Sequence, residues 1–171
     1  MKTVATPRVG TALLLIVGLI AIATAWGFQL IGGYVPCQLC LEQRQPYYVG
    51  LPLGLVALVL LSRGNSRAGG FVLLVVALVF AYGAGLGAYQ AGAEWGFWLG
   101  PNDCGGSGSG PASASNMLQT LQSTRIVSCT EASWRLFGLS FAGWNAVASG
   151  AIALIAFLSG LCALKRCKVE G

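Results

Sequence analysis

Histidine is absent from the 171-residue chain, and charge is scarce: ten Lys or Arg and five Asp or Glu, together 9% of all residues. An ordinary soluble domain carries about 25% charged residues, so a water-facing globular surface cannot be assembled from this composition. Disorder is excluded as well, because it needs low hydropathy and high charge, whereas 56% of these residues are hydrophobic and the mean hydropathy is +0.73. No haem-ligation motif, Gly-rich dinucleotide fingerprint or iron–sulfur cysteine run is present. No basic patch interleaves with aromatics, which speaks against nucleic acid as a partner. What remains is an integral membrane protein whose partner is the lipid bilayer.

Charge-free stretches locate its spans. Residues 9–41, 45–62, 68–93 and 136–164 contain no Asp, Glu, Lys or Arg. A bilayer-crossing helix needs about 20 apolar residues, with roughly 17 as a lower limit. Four helices therefore fit, near 10–31, 46–61, 69–91 and 143–164, giving an all-α four-helix membrane bundle in one domain. None of the four shows the two-residue alternation of a barrel strand. Lys2 and Arg8 followed by an apolar run and Ala23-Thr24-Ala25 have the outline of a cleavable secretory signal. Apolar character continues to Val35, too far for a signal core, so the segment is read as a retained first span.

Seven of the ten basic residues (Lys2, Arg8, Arg63, Arg67, Lys165, Arg166 and Lys168) fall on one side if the spans alternate. The positive-inside rule makes that side, with both termini, cytoplasmic. The loops 32–45 and 92–142 then face outward. All five tryptophans lie at or beyond the outer ends of spans, where indole prefers the headgroup layer. The second loop contains a Gly/Ser/Ala-rich run over 105–115 with the composition of a flexible tether. Behind it, Ala114, Met117, Leu118 and Leu121 recur at helical spacing, an expected short amphipathic helix on the membrane surface or the bundle rim. Small residues spaced by four (Gly83 with Gly87, Ala84 with Ala88, Ser149 with Ala153) mark expected helix contacts.

Six cysteines divide by position into three pairs. Cys37 and Cys40 form a Cys-x-x-Cys in the first outer loop, Cys104 and Cys129 lie in the second, and Cys162 and Cys167 close the fourth span. A reducing cytoplasm keeps the last pair as thiols, and they are read as packing residues. A Cys-x-x-Cys serves redox exchange or metal ligation. Zinc favours four Cys or His ligands at paired spacing. With no histidine and no close spacing in the second pair, no metal is expected. Structural disulfides would account for Cys104 and Cys129 but not for a Cys-x-x-Cys at a membrane surface. Arg44 follows Cys40 by four residues, so a helix starting near Cys40 would put both on one face. A guanidinium there favours thiolate over thiol. Arg44 as a headgroup anchor is the plainer alternative.

The run Pro36-Cys37-Gln38-Leu39-Cys40-Leu41-Glu42-Gln43-Arg44 resembles the signature of the DsbB family of bacterial inner-membrane thiol oxidases. Residues Trp134, Phe137, Gly138, Leu139 and Trp144 after Cys129, and Ala91-Gly92-Ala93-Glu94-Trp95 after the third span, are similar to segments of that family. The likeness covers all four spans, both loops and the order of four cysteines. It implies a quinone, ubiquinone or menaquinone, as electron acceptor, and a periplasmic DsbA-type thioredoxin-fold protein as partner. By resemblance, the partner attacks the Cys104–Cys129 disulfide at Cys104, Cys129 attacks the Cys37–Cys40 disulfide at Cys37, and Cys40 leaves as thiolate beside the quinone. Arg44, with the aromatics Tyr47 and Tyr48, would line the quinone slot. Some relatives carry a histidine near the end of span three where this chain has Gln90, so proton handling here cannot use imidazole. Glu42 and Glu94 are then candidate proton carriers, although a solvated surface position is the simpler expectation for both. Two other functions fit parts of the pattern. A vitamin K epoxide reductase-like enzyme would place its motif pair on a late helix, opposite to the order here. A non-catalytic membrane scaffold would use the outer disulfides only for stability.

Overall fold

The computed structural model describes residues 6–98, 125–126 and 135–165. Four long helices form the body: α1 (Pro7–Leu30), α3 (Gln45–Ser62), α4 (Ser66–Glu94) and α5 (Phe141–Leu164), with a one-turn helix α2 (Gln38–Glu42) leading into α3. All four are long and apolar enough to cross a membrane. Only 22–33% of the residues in the most apolar window of each are buried within the protein. The rest are apolar yet outward-facing, Ile20, Leu78 and Leu158 among them, which is tolerable against lipid and not against water.

Local chemistry sets the helix starts. Pro7 opens α1 and Pro46 sits in the first turn of α3, where a missing N–H costs no hydrogen bond. Asn65 caps α4 by accepting from the Ala68 N–H at 3.3 Å, and Ser140 caps α5 by accepting from the Gly143 N–H at 3.2 Å. The charge-free stretch for the third span stops at Ala93, and its helix was expected over 69–91. The observed α4 runs further at both ends, from the Asn65 cap to Glu94. Glu94, its last residue, accepts from the Gln90 amide one turn earlier.

The helices close into a ring in which α1 packs on α3, α3 on α4, α4 on α5 and α5 back on α1. Leu14, Leu73, Val76, Phe80, Ile152 and Ala156 are buried at its centre. The contact between α4 and α5 is the most extensive, and glycine makes it possible. A Cβ on Gly87 would lie 2.9 Å from the Ala146 nitrogen, and one on Gly160 would lie 3.1 Å from the Gly70 carbonyl oxygen. Gly83 faces Pro46 as closely, and Ser149 is fully buried. The expected Ala84–Ala88 contact does not form, because Ala88 is exposed: the face carrying Gly83 and Gly87 meets the neighbours, and the adjacent row turns outward.

At the end where α1 begins, the Arg8 guanidinium donates to the Leu61 carbonyl at 3.2 and 3.0 Å, satisfying an acceptor in the last turn of α3. Arg63, Arg67 and Lys165 belong to the same end. The opposite end carries the two loops. There β1 (Tyr34–Val35) pairs in parallel with β2 (Arg125–Ile126), in register Tyr34 to Arg125 and Val35 to Ile126. A hairpin, β3 (Arg135–Leu136) with β4 (Leu139–Ser140), leads into α5. Its turn holds Phe137 at φ +53° and Gly138 at φ +83°, the left-handed pair of a tight two-residue loop. The tether at 105–115 and the amphipathic segment at 114–121 lie outside the described residues.

Candidate functional site at the cysteine pair

Cys37 is the N-cap of α2. Its backbone is extended (φ −71°, ψ 165°), and its Sγ accepts from the Cys40 N–H at 3.2 Å. This turn folds both sulfurs to one side, with Cys37 only 1% exposed and Cys40 half-buried. Both residues are thiols in this structure. From the facing helix, Gln90 brings its Nε2 to 3.7 Å from Cys40 Sγ and 4.0 Å from Cys37 Sγ, and donates to Glu94 Oε1 at 3.3 Å.

Behind Gln90 runs a buried polar chain. Gln43 Nε2 donates to Gln90 Oε1, and Gln43 Oε1 accepts from Asn145 Nδ2 at 2.7 Å. Asn145 Oδ1 in turn accepts from the Tyr47 hydroxyl at 2.8 Å, and that hydroxyl also meets Ser149 Oγ at 3.0 Å. Gln43, Tyr47, Gln90 and Ser149 are all buried. Each amide or hydroxyl therefore has the partner that burial in a low-dielectric interior demands. The chain ties α3, α4 and α5 together directly beneath the sulfurs.

The two thiols, in the loop segment ahead of the second span, are not equivalent. The hydrogen bond between them and burial push Cys37 up. Cys40 is lowered to about 7, first because Cys37 donates to its sulfur, then because Gln90 does, while burial and the Glu94 charge oppose the shift. Cys40 is thus the more acidic thiol of the pair. Its alkylation by iodoacetamide in the reduced protein is expected to rise about tenfold per pH unit below this value and to level off above it, since only the thiolate reacts. Tandem mass spectrometry of the alkylated wild-type protein separates the two sulfurs, and an equal rise at Cys37 would contradict the assignment.

Beside the sulfurs opens a cavity of about 390 Å³ between α1 and α5. Apolar side chains such as Ala21, Ala25, Phe28 and Phe141 wall it, and Cys40, Gln43, Arg44, Gln90 and Glu94 make its polar end. An apolar pocket with a few convergent polar groups is the usual form of a small-molecule site, commonly about 300–1,000 Å³.

Arg44 is on the cavity wall but does not take the place expected for it. Helix α2 ends at Glu42 and the chain turns before α3, so Cys40 and Arg44 do not share one helix face. The Arg44 guanidinium instead donates to Gln29 Oε1 and lies 5.8 Å over the Trp26 ring. The cross-helix donor to Cys40 is Gln90. Tyr47 lines the cavity, but its hydroxyl is committed to Asn145 and Ser149. Tyr48 is exposed and accepts from Trp26 Nε1 at 3.0 Å, an interface position with no share in the wall. Glu94 is half-buried at the cavity instead of solvated. Cys104 and Cys129 lie outside the described residues. Gln43 was quoted only as part of the motif run, Ser149 was expected only as a helix contact, and Asn145 was not singled out in the sequence. The available signal was polarity next to or inside apolar spans, where such side chains mark functional or packing sites.

A ring of four membrane-spanning helices holding a dithiol against an apolar cavity defines an integral-membrane thiol protein. The family model described as "Disulfide bond formation protein DsbB" matches residues 7–159, and the chain belongs to the DsbB family of membrane disulfide-bond formation proteins. The chain is also similar to "Uncharacterized protein RP370" of Rickettsia prowazekii (strain Madrid E), 26% identical over 153 residues, covering 88% of this chain and 85% of that one. No solved structure matches.

Proposed function

We propose that this protein is a quinone-dependent thiol oxidase that reoxidises a thioredoxin-fold, DsbA-type dithiol protein, with its cysteine-bearing loops on the periplasmic side of a bacterial inner membrane. The observation that carries the reading is the placing of a thiolate-prone Cys40 at the polar end of an apolar cavity inside a membrane bundle. Disulfide formation from dithiols needs an acceptor of two electrons, and a lipid-soluble ring suits a cavity walled by α1 and α5. The residues present fit a quinone. Its ring has apolar walls, and its oxygens have donors within the same cavity in Arg44 and the Gln43 and Gln90 amides. Bound there, a quinone would supply the two-electron sink.

The residues of the chain divide the remaining work. Cys104 receives the partner's thiolate, and Cys129, once released, attacks Cys37, each step a thiolate attack on a disulfide sulfur. Gln90 orients Cys40 and favours its leaving as thiolate. Arg44, held by Gln29 and Trp26, keeps a fixed positive charge at the cavity.

Anaerobic mixing of purified protein with reduced partner and excess quinone, followed by quinone absorbance, tests the reading. Stoichiometric quinone loss with partner oxidation is expected; no loss would sink it. Arg44→Ala is expected to raise the KM for quinone by roughly 10-fold or more, the worth of a charge-assisted hydrogen bond, while thiol exchange with the partner at Cys104 stays unchanged. Equal losses in both half-reactions would remove Arg44 from the quinone side.

A further inference from the structure

We propose that Glu94 is the proton acceptor of the dithiol cavity, taking the proton that leaves Cys37 when the Cys37–Cys40 disulfide closes. This rests on the thiol-oxidase reading. Glu94 is in the last turn of α4 and lines the same cavity as Cys40. Its Oε1 accepts from the Gln90 amide that also reaches both sulfurs. Its Oε2 is buried and has no hydrogen-bond partner among the described residues. A buried carboxyl oxygen without a partner is costly, and such an exception in a folded protein calls for a chemical reason.

The neighbours leave the task to Glu94. The chain has no histidine. Arg44 is permanently protonated and bonded to Gln29. The Tyr47 hydroxyl donates to Asn145, and Gln43, Gln90 and Asn145 carry neutral amides. Among the described residues, the titratable or charged groups around Glu94 are Cys37 at the cap of α2, Cys40 from α2, Arg44 from the turn before α3, Tyr47 from α3, and Arg135 from β3. The Arg135 guanidinium bonds the Glu94 main-chain oxygen at 3.4 Å. On the cavity side, α1 and α5 contribute the uncharged Thr24, Gln29 and Asn145.

The balance closes. The reduced pair, with Cys37 as thiol and Cys40 as thiolate, gives up the Cys37 proton and two electrons as the sulfur–sulfur bond forms. The proton goes to the Glu94 carboxylate, and a quinone bound in the cavity would take the two electrons. Glu94 would then hold that proton for the acceptor, and water would supply the second proton that a quinol needs.

The test uses the full-length protein with Glu94→Gln and Glu94→Asp. Glutamine keeps an oxygen for the Gln90 amide, and aspartate keeps the acid. In quinone-free reduced protein, Glu94→Gln is expected to shift the alkylation profile of Cys40 to lower pH, because an anion that opposes the thiolate is gone. With reduced partner and quinone, its turnover is expected to fall roughly 100-fold, the usual worth of a positioned acid or base. Aspartate and added imidazole should each restore part of that loss. Turnover of Glu94→Gln within about twofold of wild type overturns the proposal and leaves the oxidase reading intact. Lost turnover with an unchanged alkylation profile and no rescue by aspartate or imidazole also overturns it, since that pattern belongs to a structural role. If the wild-type protein fails to reduce quinone, the oxidase reading falls and this proposal with it.

Discussion

Cys40→Ser is expected to abolish quinone reduction by reduced partner, with a loss of roughly 1,000-fold or more, because a serine hydroxyl neither ionises near neutrality nor forms a disulfide with Cys37. The fold should survive the change. Cys40 is half-buried, and its structural contributions to α2 are a main-chain N–H donated to Cys37 Sγ, which serine keeps, and a sulfur that Gln90 approaches at 3.7 Å. Circular dichroism and thermal melting in detergent should therefore match the wild type. The result also separates the competing functions, because a scaffold held together by outer-loop disulfides would work normally as the serine variant. A variant that still reduced quinone at the wild-type rate would remove Cys40 from the electron path and leave the cavity without a redox role.

The largest effect on folding is expected from Gly87→Leu. A Cβ at this position would lie 2.9 Å from the Ala146 nitrogen and 3.0 Å from both the Ala142 oxygen and the Ala146 Cα. All three are main-chain atoms of α5, which cannot swing aside as a side chain would. The longer leucine forces α4 and α5 apart, and overpacking of this kind costs about 3 kcal/mol. For a chain of this size that corresponds to a fall in Tm of roughly 6–12 °C. Gln90 lies less than one turn further along α4, so the same displacement moves its amide from Gln43 and from the sulfurs, and quinone reduction should drop along with stability. Gly85→Leu is the control: a Cβ there meets nothing within 4 Å, so the variant should melt like the wild type. Equal melting of the two variants would show that the α4–α5 approach is not as tight as the geometry indicates.

Both effects were partly visible before the fold was known. The Cys-x-x-Cys, its Arg44 and the four-residue spacing of Gly83 and Gly87 stand out in a sequence poor in charge. The polar chain was not visible, because Gln43, Gln90 and Asn145 are separated by 47 and 102 positions in their hydrogen-bonded pairs, and no local pattern connects them. Arg44 shows a different kind of failure. Spacing of four residues implies a shared helix face only if one helix continues through both, and α2 stops at Glu42. Glu94 was misplaced for a related reason. A charge that ends an apolar run looks like the start of a solvated loop, whereas here the helix continues to it and a neighbouring glutamine supplies a partner.

Hydropathy, charge distribution and cysteine spacing were therefore enough for the membrane class, the number of spans and the end of the bundle that carries the Cys-x-x-Cys. These properties follow from composition along a single stretch of chain, because a helix must satisfy its own backbone in lipid and an apolar run must be long enough to cross it. Which cysteine holds the thiolate, which side chain donates to it, and which acid shares its cavity were decided by the closing of α1, α3, α4 and α5 into a ring. Those are properties of atoms a few ångströms apart in space and far apart in sequence, and helix packing sets them.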